Sequence, residues 1–374
     1  MFTRRRLTQH LVKRFSLRTI SNDIKPSAEL DSVTTCSAVV VGGGIAGCSV
    51  LYHLAKAGID SILCEKSELT SGSTWHAAGL VAAFHPGVNM RFLHHYSIDL
   101  YKRLEAETGH PTGFHTPDSI RLIDETRLDE ANYQLGKSAL YDYHQEWISP
   151  EQISELHPLV NLDGVVGGIY NKVDGHIDPS SVTNALASGA RQHGGKIFKF
   201  TEVFGLQKRN DGKWDVLIRQ TQNQTERRIV ADMIINCGGL WCANVGKMAG
   251  VYVPISHIEH QYLITERIPE VEEFEKSRGK QLPVLRDLVG SYYVRQERDG
   301  LLFGPYESQE AMKLVDRWST STVSQPPNSF GMELFEEDVD RLTPHIEHSM
   351  MRLPCMANAG IRSVVNDGLR MEIL

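Results

Sequence analysis

Along the first third of the chain the apolar positions change period, and the change marks out elements. Ser37 to Gly42 reads SAVVVG, an unbroken β-branched run suited to a strand buried on both faces of a parallel sheet. Ala46, Val50, Leu54 and Ala57 then fall on one face of a helix that Gly58 is placed to end. A second apolar run, Ile62-Leu63-Cys64, delivers Glu65. The spacing predicts a βαβ unit. Further on, Val166 to Tyr170, Lys196 to Phe200, Val203 to Lys208, Trp214 to Arg219 and Ile229 to Cys237 read as strands, and His176-Ile177-Asp178-Pro179 opens a helix through Val182, Leu186 and Ala190. Ser97 to Thr108 is helix-like. Ser119 to Ile123, Ile258 to Thr265, Ser291 to Glu297 and Leu301 to Gly304 have the alternating or aromatic character of antiparallel strands. Two sheets interleaved in sequence are expected.

Composition narrows the class. A chain of 374 residues with 41% hydrophobic content is long enough for two cores, which excludes disorder and a mini-protein scaffold. The net charge of −7 argues against a basic nucleic-acid-binding surface. That charge is unevenly placed: Met1 to Asn22 carries Arg4, Arg5, Arg6, Lys13, Arg14 and Arg18 without one acid, which leaves −13 on the rest. An acid-free, Arg-rich start with Leu7, Leu11, Val12 and Phe15 near helical spacing predicts a mitochondrial presequence and delivery to the matrix, although a basic tail without a targeting role has the same composition. The longest apolar run, Ala38 to Leu54, is broken by glycines and His53, short of the ~20 residues of a membrane span. Six cysteines without a CxxC pair predict no zinc site, no disulfide framework and a reducing compartment. No metal site is expected.

The chemistry starts at Gly42-Gly43-Gly44-Ile45-Ala46-Gly47, a GxGxxG pattern between strand and helix. Gly42 serves the tight turn, Gly44 lets backbone approach a pyrophosphate, and Gly47 brings helix and strand together. The N-terminus of the following helix offers free N–H groups to phosphates. Glu65 is placed to accept from ribose hydroxyls, which favours FAD or NAD over NADP. A small-residue loop follows, carrying Lys66, Gly72, Ser73, Thr74, Trp75, His76, Ala77, Ala78, Gly79 and Leu80, which permits close approach to a cofactor. By spacing alone His76 reads as an ordinary loop histidine.

The stretches VVGGGIAGCSVLYHLAKAG, EKSELTSGSTWHAAGL with FHPG after it, DGHIDP, HQYLIT and LPVLRDLVGSYYVRQERDGLLFGPYE together resemble the D-amino-acid-oxidase-like flavoprotein family, in its branch that oxidises N-methylated glycines. The likeness runs from Ser37 to Asn366. It implies a Rossmann-like FAD-binding domain interleaved with a mainly antiparallel α+β substrate domain. The expected division is 1–30 presequence and linker, 36–110 and 166–250 FAD-binding, 111–165 and 251–366 substrate-binding, and 367–374 divergent tail. It also implies FAD bonded covalently through His76, with backbone near Val203 and the Gly238–Trp241 segment touching the cofactor. The implied substrate is N,N-dimethylglycine or, second, sarcosine, with hydride passing from the N-methyl carbon to flavin and electrons going to electron-transferring flavoprotein. For positioning and proton handling the candidates are His260 and Tyr262, alternating on one strand face, and for the substrate carboxylate Arg286 or Arg295. His85 and Asp174 fall in motif segments without an assignable role. A second reading is a non-catalytic regulatory subunit of the same lineage, which lacks the histidine found here at position 76.

The family pattern ends at Asn366, and Asp367 to Leu374 (DGLRMEIL) departs from it. A truncated form is therefore expected, without the segment covering the flavin's pyrimidine side and without the family's tetrahydrofolate domain.

Overall fold

The computed structural model describes residues 30, 32–140, 145–318 and 326–372, so the basic start lies outside the described residues. From Thr35 onward the chain builds two sheets. The first has the order β8-β2-β1-β11-β10-β9. Its parallel core is β8 (Lys196–Phe198), β2 (Ser61–Cys64), β1 (Thr35–Val41) and β11 (Glu226–Asn236), and β10 (Trp214–Gln220) and β9 (Thr201–Lys208) extend it antiparallel. Val39 and Val40 are wholly buried because helices cover the sheet. Helix Ile45–Lys56 packs on helix Pro179–Gln192 through Leu51, Tyr52, Leu186 and Ala190. Each of the two leucines contributes roughly 1.5–3 kcal/mol on burial. Asp178 caps the second helix by accepting from Ser181 N–H, with Pro179 at its first turn.

The second sheet runs β16-β12-β15-β14-β13-β4-β6-β5, with β17 on the other edge of β12. Its strands are β4 (Ser119–Ile123), β5 (Gln145–Ile148), β6 (Gly167–Asn171), β12 (Ile255–Thr265), β13 (Val284–Asp287), β14 (Tyr292–Glu297), β15 (Gly300–Pro305), β16 (Lys313–Leu314) and β17 (Ile361–Glu372). One face is apolar: Ile120, Leu122, Leu285, Val294, Phe303 and Leu263 pack with Val271, Phe274 and Leu342 from helices Pro269–Arg278 and Val339–Arg352. The residues between them in sequence point to the other face. A short ribbon of β3 (Leu80–Val81) and β7 (Gly175–His176) joins the ends of the connecting segments.

Two boundaries differ from those expected. The strand near Val166 to Tyr170, assigned above to the dinucleotide-binding part, is β6 of the second sheet, where its backbone pairs with β4 and β5. The tail assigned to residues 367–374 continues β17, whose backbone pairs with β12 up to Glu372. β12 offers it a free edge, and backbone pairing does not depend on family sequence. The helix expected from Ser97 starts earlier, at Val88. Among the described residues no helix is long and apolar enough to cross a membrane.

Candidate functional site

At the ends of β1, β2 and β11 the glycine loop leaves no room for side chains. A Cβ on Gly42 would lie 2.3 Å from the Cys237 carbonyl oxygen, and Gly42 has φ +109. One on Gly47 would lie 1.9 Å from Gly42 O, and one on Gly44 2.9 Å from Thr74 Oγ1. Glu65 is buried, accepting from Gly43 N–H at 2.6 Å and from Ser67 N–H at 2.8 Å. Burial raises its carboxyl pKa, against the pull of those two donors. Its backbone oxygen accepts from Thr201 N–H, which brings Val203, two residues on, to the same end of the sheet. Ile45 N–H donates to Thr74 Oγ1 at 3.2 Å, so the loop after Glu65 folds back onto the helix start.

That loop is fixed along its length. Lys66 holds its ammonium 3.4 Å from the centre of the Trp241 ring, and burial lowers its pKa to about 8. Gly72, with φ +91, lies against the same indole, and Gly238 precedes the short turn that carries it. Ser73 Oγ donates to Gly368 O at 3.0 Å and Trp75 Nε1 to Gly331 O at 3.2 Å. Ala77 N–H donates to Thr74 O. Gly79 N is followed by Leu80 in β3, and a Cβ on Gly79 would lie 2.1 Å from Ile177 O. His76 is only 6% exposed, edge-on to Trp75, with its Nε2 in direct contact with Asp367 Oδ2. Ala78 O accepts from Arg295 Nε at 3.0 Å.

The polar face of the second sheet meets this loop. Arg121 on β4 pairs with Arg286 on β13, Arg286 with Tyr293 on β14, and Tyr293 with Gly304 on β15. Extending the β12–β15 register by one residue places Tyr262 opposite Gly304. His260, two residues from Tyr262, shares its face. Burial raises the Tyr262 hydroxyl to about 12, with Arg295 nearby lowering it. His260 Nδ1 lies 3.1 Å from Glu307 Oε2, and Arg341 also donates to Glu307. Burial raises the Glu307 carboxyl, but His260 and Arg341 outweigh it and hold the pKa below the usual range.

Arg295 is tied to the loop. Its guanidinium donates through Nε and Nη1 to Ala78 O, Gln296 O and Glu297 Oε2 at 3.0, 3.0 and 2.7 Å, so it braces the His76 loop. Asp174, left without a role above, accepts from Ala83 N–H and Ser119 Oγ and so ties the loop after β3 to β4. His85 Nδ1 accepts from Gly87 N–H. Arg121, Tyr293, Tyr306 and Asp367 were missed, because only the strand register and the closing of β17 bring them to the site.

The residues present fit a dinucleotide cofactor. The glycine cradle excludes every side chain, and Ser71 Oγ, Trp241 Nε1 and Asn366 Oδ1 are buried polar atoms around the loop without hydrogen-bond partners. A family model described as FAD dependent oxidoreductase matches residues 37–372. The chain is 51% identical over 330 residues, 88% of its length, to mitochondrial dimethylglycine dehydrogenase of Mus musculus, of which that covers 36%. It is 33% identical to mitochondrial sarcosine dehydrogenase of Mus musculus over 91% of its length and 35% of that protein. It thus spans about a third of the length of these curated relatives. Among solved structures, L-proline dehydrogenase from P. horikoshii superposes with a TM-score of 0.74 at 22% identity, covering 90% of this chain and 82% of that one.

Proposed function

The chain belongs to the FAD-dependent oxidoreductase family, and on that premise we propose that it oxidises the N-methyl group of a methylated glycine, N,N-dimethylglycine before sarcosine. The carrying observation is that His76 lies buried where the cofactor loop meets the second sheet, against Asp367, the cross-strand partner of His260, with Arg295 bracing the loop two residues on. FAD, when bound, supplies the acceptor for the hydride. We assign its diphosphate to the Gly42–Gly47 loop, its ribose to Glu65 and its covalent link to His76. Support for the substrate class comes from the relatives, which are dehydrogenases of dimethylglycine and sarcosine by name.

The chain's own residues have definite tasks in this reading. An ammonium has no lone pair to push out hydride, so the amine must be held neutral. His260, set against Glu307, is the group placed to take the amine proton, and Tyr262, whose hydroxyl stays protonated, orients the nitrogen. Electron-transferring flavoprotein is the proposed electron acceptor, and the basic Met1–Asn22 segment together with the relatives' mitochondrial names supports the mitochondrial matrix.

Intact mass and visible absorbance after acid precipitation test the reading, with His76→Ala alongside. One FAD of added mass in wild type, absent from the variant, is the expected result. Folded, colourless wild type without added mass would overturn the flavoenzyme reading and leave the regulatory one.

A further inference from the structure

We propose that Arg121 and Arg286, with the Tyr306 hydroxyl, form a binding site for a small carboxylate, the carboxylate of the methylated glycine if the reading above holds, on which this last identification rests. Arg121 and Arg286 are Cα partners in a parallel strand pair, so both side chains leave the sheet on the same face. Two adjacent guanidiniums repel each other unless an anion lies against both. Arg121 is buried, its side chain 6% exposed, and its Nη2 has no hydrogen-bond partner. The carboxylate it meets is Glu130, at 3.8 Å and 41% exposed, a loose and solvated counter-charge. Burial, and after it the charge of Arg286, lowers the Arg121 pKa to about 10.

The neighbours leave the positive charge in excess. Asp174 is buried nearby, but its two oxygens already accept from Ala83 N–H at 2.7 Å and Ser119 Oγ at 2.6 Å, and burial raises its carboxyl to about 6. Arg286 is half-buried and donates Nε to the Tyr306 hydroxyl at 2.9 Å, which keeps that hydroxyl's own proton available to an anion. The Phe84 ring lies 4.4 Å from the Arg121 guanidinium, and Tyr306 stands 5.5 Å from Tyr293. Aromatic walls and two charges suit one small planar carboxylate, which takes paired N–H donors, rather than a bulky polyphosphate. The row Arg121, Arg286, Tyr293 continues toward Tyr262, so an anion held there lies on the same face as the amine-handling residues.

Calorimetric titration tests the site with three probes on the purified chain: acetate, N,N-dimethylglycine and N,N-dimethylethanolamine, which lacks the carboxylate. Wild type is expected to bind the first two and not the third. Arg286→Gln should weaken both acids by roughly 10- to 100-fold. Since Arg121→Gln puts a buried position at risk, Arg121→Lys is the second variant, and it should retain part of the binding because it keeps the charge without the fork. Unchanged acid binding in folded Arg286→Gln, absence of acid binding in wild type, or equal binding of the amino alcohol would each overturn the proposal. If Arg286→Gln abolishes acetate binding while dimethylglycine binds no better than acetate, the carboxylate site stands and the methylated-glycine reading falls. If dimethylglycine binds both arginine variants as tightly as wild type, the reverse holds.

Discussion

Around the glycine loop, nearly every residue proposed to hold the cofactor comes from one stretch of chain between Gly42 and Leu80, and its geometry is set by backbone. On the facing sheet, Arg121, Arg286, Tyr293 and Tyr262 come from four strands, and their grouping is set by register. The first region has little spare volume: Gly42, Gly47 and Gly79 lie against backbone carbonyl oxygens that cannot move without moving the chain that carries them. The second is walled by side-chain ends, which can. A site that must hold one invariant diphosphate tolerates rigid backbone, whereas a site that selects among small substrates is tuned by side chains.

The same substitution in both regions should break them unequally. Gly47→Ala puts a Cβ 1.9 Å from Gly42 O, and a loss of about 3 kcal/mol in stability with complete loss of retained flavin is expected, read by denaturant titration and absorbance. Gly304→Ala puts its Cβ 2.4 Å from the outer end of the Tyr293 ring, which can swing aside. Flavin should be retained and stability should fall by only about 1 kcal/mol, with the loss appearing as a raised KM. Equal flavin loss in the two variants would erase the distinction.

A third difference is in acid response. His157, at the end of helix Pro150–Leu156, is fully buried, and burial lowers its pKa from 6.5 to about 4. The fold therefore binds fewer protons than the unfolded chain, and the stabilisation is complete above pH ~6.5 and is lost as pH falls toward 4. At pH 5 the loss from this one group is about 2 kcal/mol relative to neutral pH. His176, also lowered to about 4 by burial, adds to it, and Asp174, raised to about 6, opposes it. His157→Gln should narrow the difference in melting temperature between pH 7.5 and pH 5, and an unchanged difference would show that the acid response lies elsewhere.

These contrasts explain what could be read from sequence. The βαβ start was legible because its signals are local: the β-branched run of β1, the period of helix Ile45–Lys56 and the glycine spacing each lie within a dozen residues. β4, β12, β14 and β15 showed through alternation. β13 carries VLRD, too short for a period, and with it went the pairing of Arg286 with Arg121. Asp367 could not be tied to His76 without knowing that β17 runs along β12. The bracing contacts of Arg295 were hidden because nothing local shows that Ala78 O and Glu297 meet it.

The two faces of the second sheet also bear on how such a protein can change over time. Leu285 is in the apolar core and Arg286, its neighbour, stands on the polar face, as do Ile120 and Arg121. A single inserted or deleted residue in β4 or β13 would send leucines to the ligand and arginines into the core at one stroke. Lineages descending from this fold can thus explore new substrates by point replacement along the row, while length changes are confined to the turns between strands.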